Sequence, residues 1–430
     1  MKGVTCMNSK NVNKINWSKS GKWFAYLFIW LVAMMILVPG ARGQASYEDN
    51  DFRFIFTPLG LNNQSGPCYP AALGMGGVSF SQPGAIAGFY NPAILSLDEK
   101  IGVFLSGSFS HGFAHLYTEG ELVESLSFSH NYFKPESASF SFKYKGWKVA
   151  AGYGYFDNLS RPQLSYTNYL SYTTESISSS QKGNIHDLLL TASYDVTSKF
   201  AVGFSIGYLF GEVTSDFYRN TEWIYGFLRD YQLKGIYYSF GCLFRAGEKW
   251  SLGLAFRPAI HYWSNATSTT TYLNPGNEYI EKLKMKFSEE PFMFLAGLSF
   301  LPVKNLRVAA DISFWGWGGA ANPVFPWFYD DDTRAETNQI RKNVIKINLG
   351  YEYSIQLGSR DQSEQGDLLK IRAGYIFDPG YLSDRHFITA GVGVEFKKFG
   401  LDVAALLPLS TCLPNRVYTT VFSLGIRYYF

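Results

Sequence analysis

The chain closes with Phe422-Ser423-Leu424-Gly425-Ile426-Arg427-Tyr428-Tyr429-Phe430. Counted back from Phe430, Tyr428, Ile426, Leu424 and Phe422 fall on one face of an extended strand. Tyr429, Arg427, Gly425, Ser423 and, further back, Thr419 fall on the other, because strand side chains alternate with a period of two. A soluble sandwich strand also alternates, but it rarely turns aromatics outward and arginine inward. A strand with lipid on one side and a polar lumen on the other does so by design.

The pattern recurs upstream. Ile345, Ile347, Leu349, Tyr351 and Tyr353 alternate with Lys346, Asn348, Gly350 and Glu352. Leu306, Val308, Ala310 and Ile312 alternate with Arg307, Ala309, Asp311 and Ser313. Ile388, Ala390, Val392, Val394 and Phe396 alternate with Thr389, Gly391, Gly393 and Glu395, and Ala138, Phe140, Phe142 and Tyr144 with Ser139, Ser141 and Lys143. Charges on the inward rows would be ruinous in a dry sandwich core. A water-filled or hydrogen-bonded lumen tolerates them.

Composition agrees. Of 430 residues, 18% are aromatic against 17% charged, and 41 are glycine. No apolar run after Val38 approaches the ~20 residues of a spanning helix. The net charge of +3 is too small to argue for nucleic acid. Of the four cysteines, Cys6 lies in the N-terminal stretch read below as an export signal, and Cys68, Cys242 and Cys412 are an odd set without close spacing, so they form neither a disulfide framework nor a zinc pattern.

The first residues read as an export signal. Lys2, Lys10, Lys14, Lys19 and Lys22 precede the uncharged run Trp23 to Val38, then Pro39-Gly40 and Ala41-Arg42-Gly43. This predicts a signal peptide over 1–43, cut before Gln44. An uncleaved inner-membrane anchor is the alternative, and the run is short for one. No Cys lies near the cut, which argues against a lipoprotein.

Connection lengths predict the topology. Short ones fall at Lys145-Gly146, Val196 to Lys199, Ala246 to Lys249, Pro302 to Asn305 and Lys397 to Gly400. Long ones fall at 112–135, 158–184, 214–231, 263–282 and 318–340, with a longish turn at 358–366 and a short outer loop at 379–384. Short periplasmic turns alternating with long outer loops mark an outer-membrane barrel of a Gram-negative-type bacterium. With both termini periplasmic, the fold class is all-β, a transmembrane barrel of about 14 antiparallel strands over 101–430. Residues 44–100 do not alternate. They hold Gly74-Met75-Gly76-Gly77, Gly84, Gly88 and Asn91-Pro92, a density that suits tight turns and close packing, and they read as an N-terminal hatch plugging the lumen.

An enzyme is not expected. His111 and His115 have metal spacing only on a helix, which this stretch lacks, and with His130 they find no serine at matched depth. Asp330-Asp331-Asp332 reads as a solvated acidic run rather than a Ca²⁺ site. No cofactor or metal is expected.

Gly74-Met75-Gly76-Gly77 followed by Asn91-Pro92-Ala93 resembles the hatch of FadL-type outer-membrane transporters, and equally that of the related PorV-type proteins. Pro291 to Trp317, Ile371-Arg372-Ala373-Gly374-Tyr375 with Asp378 and Arg385, and Gly400-Leu401-Asp402 resemble that superfamily's later strands. Gln82-Pro83-Gly84 departs from it. The resemblance implies a 14-stranded plugged barrel that moves fatty-acid-like or aromatic compounds, taken in from outside, bound near the hatch and released sideways. The PorV side implies instead a partner of secretion-system subunits without small-molecule transport. Hatch residues would be Gly74, Gly76, Gly77, Asn91, Pro92 and Ala93. Trp223, Tyr225 and Phe227 in one outer loop, and Phe325, Trp327 and Phe328 in another, either contact ligand or belong to the interfacial aromatic girdle.

Height along the strands gives one more expectation. Arg427, Asp402, Glu395 and Lys370 lie near periplasmic ends, and Glu352 and Arg372 slightly higher, with opposite signs on adjacent strands. They are expected to form a charged belt in the lumen that holds the hatch. Partners beyond the ligand are the lipid bilayer and the barrel-assembly machinery, whose terminal signal the chain's end resembles through Phe422, Tyr428 and Phe430. Replacing Phe430 by Asp is therefore expected to lower the yield of heat-modifiable barrel in outer-membrane fractions; wild-type yield would show that this side chain carries no assembly signal.

Overall fold

The computed structural model describes residues 68–98, 101–115, 117–118, 121–122, 128–158, 161–169, 174–220, 224–272, 278–316, 343–357, 367–379, 384–409 and 416–430. The expected signal peptide over 1–43, residues 44–67, Trp223, Phe325, Trp327, Phe328, Asp330 to Asp332 and Cys412 lie outside the described residues. So do the side chains of Tyr225 and Phe227, whose backbone runs in a strand.

Fourteen antiparallel strands close on themselves. They are β1 Gly102–His115, β2 Phe128–Tyr144, β3 Trp147–Asn158 with Arg161–Tyr169, β4 Thr174–Asp195, β5 Phe200–Asn220, β6 Ile224–Ala246 and β7 Trp250–Arg257 with Ile260–Tyr272. Then come β8 Glu278–Glu290 with Phe292–Val303, β9 Leu306–Gly316, β10 Val344–Leu357, β11 Asp367–Pro379, β12 Asp384–Glu395, β13 Phe399–Pro408 and β14 Arg416–Tyr429. Pro258 and Pro291 stand at the interruptions of β7 and β8, where a missing N–H breaks the ladder. Closure runs from Gly102↔Tyr429 to His115↔Arg416, and the Phe430 N–H donates to Ile101 O at 3.1 Å.

The wall is inside out relative to a soluble protein. Leu105, Phe204, Phe240, Leu254, Ile312 and Leu424 are exposed, while Ser139, Thr191, Ser205, Asp311, Arg372 and Asp402 are buried. That is the distribution lipid demands of a barrel. Aromatics cluster beside the short turns: Trp147 against Tyr194 at 4.9 Å, Trp250 stacked on Phe300 at 3.9 Å, and Tyr428 edge-on to Phe430 at 5.2 Å. Phe422, Tyr428 and Phe430 all sit on the outward row. A second aromatic level holds Tyr153, His186 and Phe210. His186 and Tyr194 share one strand, and at ~3.3 Å per residue and a ~40° tilt the levels stand roughly 20 Å apart, near the height of a barrel's apolar band.

The outer loops are shorter than their sequence implies. β3 and β4 run through most of 158–184, β5 and β6 through most of 214–231, and β7 and β8 through much of 263–282. β1 and β2 intrude from both sides on 112–135, which also holds the small hairpin Tyr117–Thr118 with Glu121–Leu122. Towards these far ends the apolar alternation that marks a strand fades from the sequence while the ladder continues. The expected loop at 318–340 lies outside the described residues.

Residues 68–98 lie within the lumen as a run of single turns. These include α1 Pro70–Gly74, α2 Ala87–Tyr90 and 3₁₀ turns at Ser79–Ser81, Gly84–Ile86 and Pro92–Leu97. Gly76 and Gly77 hold φ of 71° and 74° and end α1, with Gly77 N–H on Ala72 O at 2.7 Å.

The wall receives this segment on glycine. Gly203↔Gly241, Gly253↔Gly297 and Gly350↔Gly374 are opposed in register. A Cβ on Gly203 would strike Pro92 and Ala93, on Gly241 Asn91, on Gly297 Phe80, on Gly350 Met75 and on Gly374 Gly76. Gly391 meets Gly74 and Gly425 meets Tyr69 in the same way. Gly241→Leu is therefore expected to destabilise the folded barrel by about 1–3 kcal/mol through overpacking, while Phe240→Leu on the outward face changes it little. Urea titration of the heat-modifiable form checks this; equal midpoints would show that the segment does not seat there.

Candidate functional site

Three layers stack inside the barrel, beginning at the short-turn end. In the lowest, Glu352 and Arg372 are opposed in register on β10 and β11, with Arg372 Nε 2.7 Å from Glu352 Oε2. The same guanidinium reaches Asp402 Oδ1 at 2.7 Å, although Asp402 stands two strands away on β13. Gly393 on the intervening β12 makes this possible, since a Cβ there would land on Asp402 Oδ1 and Arg372 Nη1. Arg427 on β14 lies over Gly400 and brings Nε within 2.9 Å of Asp402 Oδ2. Lys370 pairs with Glu395 at 2.6 Å.

Of the six charged residues picked from sequence, Glu352, Arg372, Asp402 and Arg427 thus form one chain and Lys370 and Glu395 a separate pair. Arg372 is the centre of the chain. Arg307 of β9, absent from the sequence reading of this belt, adds a contact to Glu352 at 3.9 Å. The Arg427 Nη1–H donates to Tyr429 Oη at 3.2 Å, and Tyr69 of the inner segment packs on Gly425 beside it.

The middle layer is the seated segment, whose backbone polar groups are met by wall side chains, as burial requires. Thr389 Oγ1 accepts from Gly76 N at 2.9 Å and donates to Gly74 O at 3.2 Å. Asp311 Oδ2 accepts from Ser79 N at 2.5 Å, Ser139 Oγ from Ala85 N at 2.8 Å, and Ser205 Oγ donates to Gly88 O at 2.7 Å. Asn91, fully buried, donates from Nδ2 to Cys242 O at 3.3 Å and accepts from Ala93 N at 3.0 Å. Pro92 holds Asn91 extended, at φ −148° and ψ 101°. Arg245 and Lys148 both donate to Ser96 O. Gln82 braces the segment against itself, accepting from Tyr69 N at 3.0 Å. Burial pushes the Cys68 thiol beside it up to about 12.

Above the segment the lumen turns apolar. Phe89, Phe156, Leu209, Val213, Tyr237 and Ile260 form one cluster, and Met293, Leu295, Trp315 and Val344 another, with Tyr90 touching both. The buried Arg257 guanidinium lies 4.5 Å from the Phe89 ring centroid and 5.2 Å from that of Trp315. Lys346 lies 4.6 Å over Trp315 and 3.3 Å from Asp378. Such cation–aromatic contacts let charge sit among rings. Among the described residues no group of three or more His, Cys, Asp and Glu is placed to hold a metal ion.

Beside these clusters the ladder of the wall, among the described residues, is interrupted. β2 and β3 pair only from Tyr144↔Trp147 to Ser137↔Gly154. Beyond that rung, among the described residues, β2 bonds only to β1 and β3 only to β4.

No protein-family model matches the chain, and no curated protein is similar to it in sequence. Solved structures are similar in fold. The Ralstonia pickettii toluene transporter TbuX superimposes with a TM-score of 0.57 at 16% identity, covering 86% of this chain and 99% of that one. The Pseudomonas putida toluene transporter TodX gives 0.57 at 16%, covering 85% and 99%. A Pseudomonas aeruginosa FadL homologue gives 0.56 at 12%, covering 86% and 100%. The chain has the FadL-type barrel fold.

Removing one partner of a buried ion pair leaves the other unpaired, at about 3–5 kcal/mol. Asp402→Ala takes a carboxylate from both Arg372 and Arg427 and is expected to cost more than Arg427→Ala, which leaves Asp402 with Arg372. In a double-mutant cycle on Arg372 and Asp402, read by urea unfolding, the double variant should recover part of the single losses. Strict additivity would show that the two side chains do not interact.

Proposed function

We propose that this protein is an outer-membrane channel for hydrophobic small molecules, aromatic or fatty-acid-like, in a Gram-negative-type envelope. In this reading 1–43 is a cleaved signal peptide, 44–100 the hatch and 101–430 the barrel. The observation that carries it is the apolar lining of the lumen directly above the seated segment, which we take as the ligand chamber. An aqueous pore does not help a hydrophobic solute, whereas an apolar pocket in a plugged barrel does. The likeness to toluene transporters supports the same class. Ligand reaches the chamber from the outer end, where the aromatics at 223–228, at the start of β6, and at 324–329 would make first contact, rests above Phe89 and Tyr90, and leaves sideways where β2 and β3 part. A secretion partner has no need of this chamber. The assembly role of Phe422, Tyr428 and Phe430 and the hatch role of Asn91-Pro92-Ala93 belong to the same proposal.

Cells lacking other such channels, supplied with radiolabelled toluene or oleate at limiting concentration, should take up at least one of them several-fold faster when making this protein. Phe89→Asp, which puts a charge on the chamber floor, should abolish the gain. Equal uptake with and without the protein, together with co-purifying secretion subunits, would favour the partner role. Cys68 supplies a reporter of hatch seating. With its thiol raised by burial, it should resist maleimide in intact membranes, whereas full labelling at neutral pH would contradict a seated segment.

A further inference from the structure

Two β-bulges face each other across the parting of β2 and β3. On β2, Ser106↔Ser137 is followed by Gly107↔Pro135, so Glu136 is the extra residue. On β3, Tyr155↔His186 is followed by Asp157↔Ile185, so Phe156 is the extra residue. Both lie just beyond the last shared rung, Ser137↔Gly154, and both are buried. Bulges end pairing and re-aim side chains, and they gather beside functional openings. Here Phe156 turns into the chamber and packs edge-on to Phe89 at 5.4 Å. Glu136 accepts from Ser423 Oγ at 2.9 Å.

Among the described residues, Lys134 spans the parting. Lys134 Nζ lies 3.4 Å from Glu136 Oε1 on its own strand and 5.4 Å from the centroid of the Tyr155 ring on the other. The two ends of this contact are fixed. Glu136 is buried and tied to β14, while Tyr155 donates its hydroxyl proton to Asn184 Oδ1 and meets the His186 ring edge-on at 5.4 Å. The lysine stem between them is the flexible member, and strand edges left unpaired have no ladder to hold them together.

We propose that Lys134 is the bolt of the side port: its ammonium, anchored by Glu136, closes the parting over Tyr155 and limits the rate at which ligand leaves the chamber for the membrane. This rests on the transport reading above and adds its control. Ligand arriving beside Phe156 displaces the ammonium from the Tyr155 ring, the contact being weak enough to break and re-form. Lys134→Met keeps the stem and loses the charge, Lys134→Arg keeps both the charge and the ring contact, and Glu136→Gln weakens the anchor.

The test measures initial uptake of radiolabelled toluene by cells carrying matched amounts of heat-modifiable barrel. Lys134→Met and Glu136→Gln should raise the rate about two- to fivefold, the range a single cation–π contact spans, and Lys134→Arg should match wild type. Unchanged or slower uptake in Lys134→Met overturns the bolt. No uptake by wild type overturns the transport reading instead, and a second readout then judges the bolt without transport. In a chain whose only cysteine is placed at Phe156, a lipid-soluble maleimide should react faster when Lys134 is also Met. Equal rates overturn the bolt whatever the uptake result.

Discussion

A backbone can lie against a β-wall within reach of the wall's own hydroxyls only where the wall residue beneath it carries no Cβ. The inner segment of this protein meets that condition on strand after strand, from Gly203 and Gly241 under Asn91-Pro92-Ala93 round to Gly350 and Gly374 under Met75 and Gly76. Its turns are too short to satisfy their own backbone. Ser139, Ser205, Asp311 and Thr389 supply the missing bonds, and they reach it because their neighbours are glycine. A single large side chain in that ring would lift the segment and orphan several polar groups at once.

The belt below uses the same device for charge. Buried ions are costly unless each finds a partner. Arg372 finds two because Gly393 leaves room to cross a strand, and Arg427 reaches Asp402 across Gly400. The resulting chain from Arg307 to Arg427 ties β9 to β14 on one side of the barrel and lies beneath Tyr69 and Gly74. Its contribution is better understood as fixing where the segment rests than as raw stability, since a well-packed apolar replacement of a buried ion pair is often neutral.

Much of this was legible in the residues. The period-two rows of β9, β10, β12 and β14 put Glu352, Glu395 and Arg427 on the inward face, and the structure buries Glu352 and Arg427 there. The strand count followed from turns such as Lys145-Gly146 and Lys397 to Gly400. Loop lengths were overestimated, because towards the far ends of β4 to β6 the period-two alternation loses contrast while the ladder continues. The glycine ring was hidden for another reason: Gly203 or Gly241 is a small inward residue until the backbone it faces is known. Arg257, next to Pro258 at a strand break, gives no sign of its place between Phe89 and Trp315, which only the tertiary fold brings to it. The bulges at Glu136 and Phe156 shift the register by one and leave no mark in composition.

In the proposed transport role, the seated, hydrogen-bonded segment closes the aqueous path while the apolar lumen above it admits hydrophobic molecules. Conductance in a planar bilayer tests that claim most directly. The mature chain should show no sustained ionic current, and a chain lacking residues 68–98 should open a steady, large conductance. A steady current through the mature chain, unchanged by that deletion, would mean that the lumen is an open aqueous pore and that the segment does not plug it.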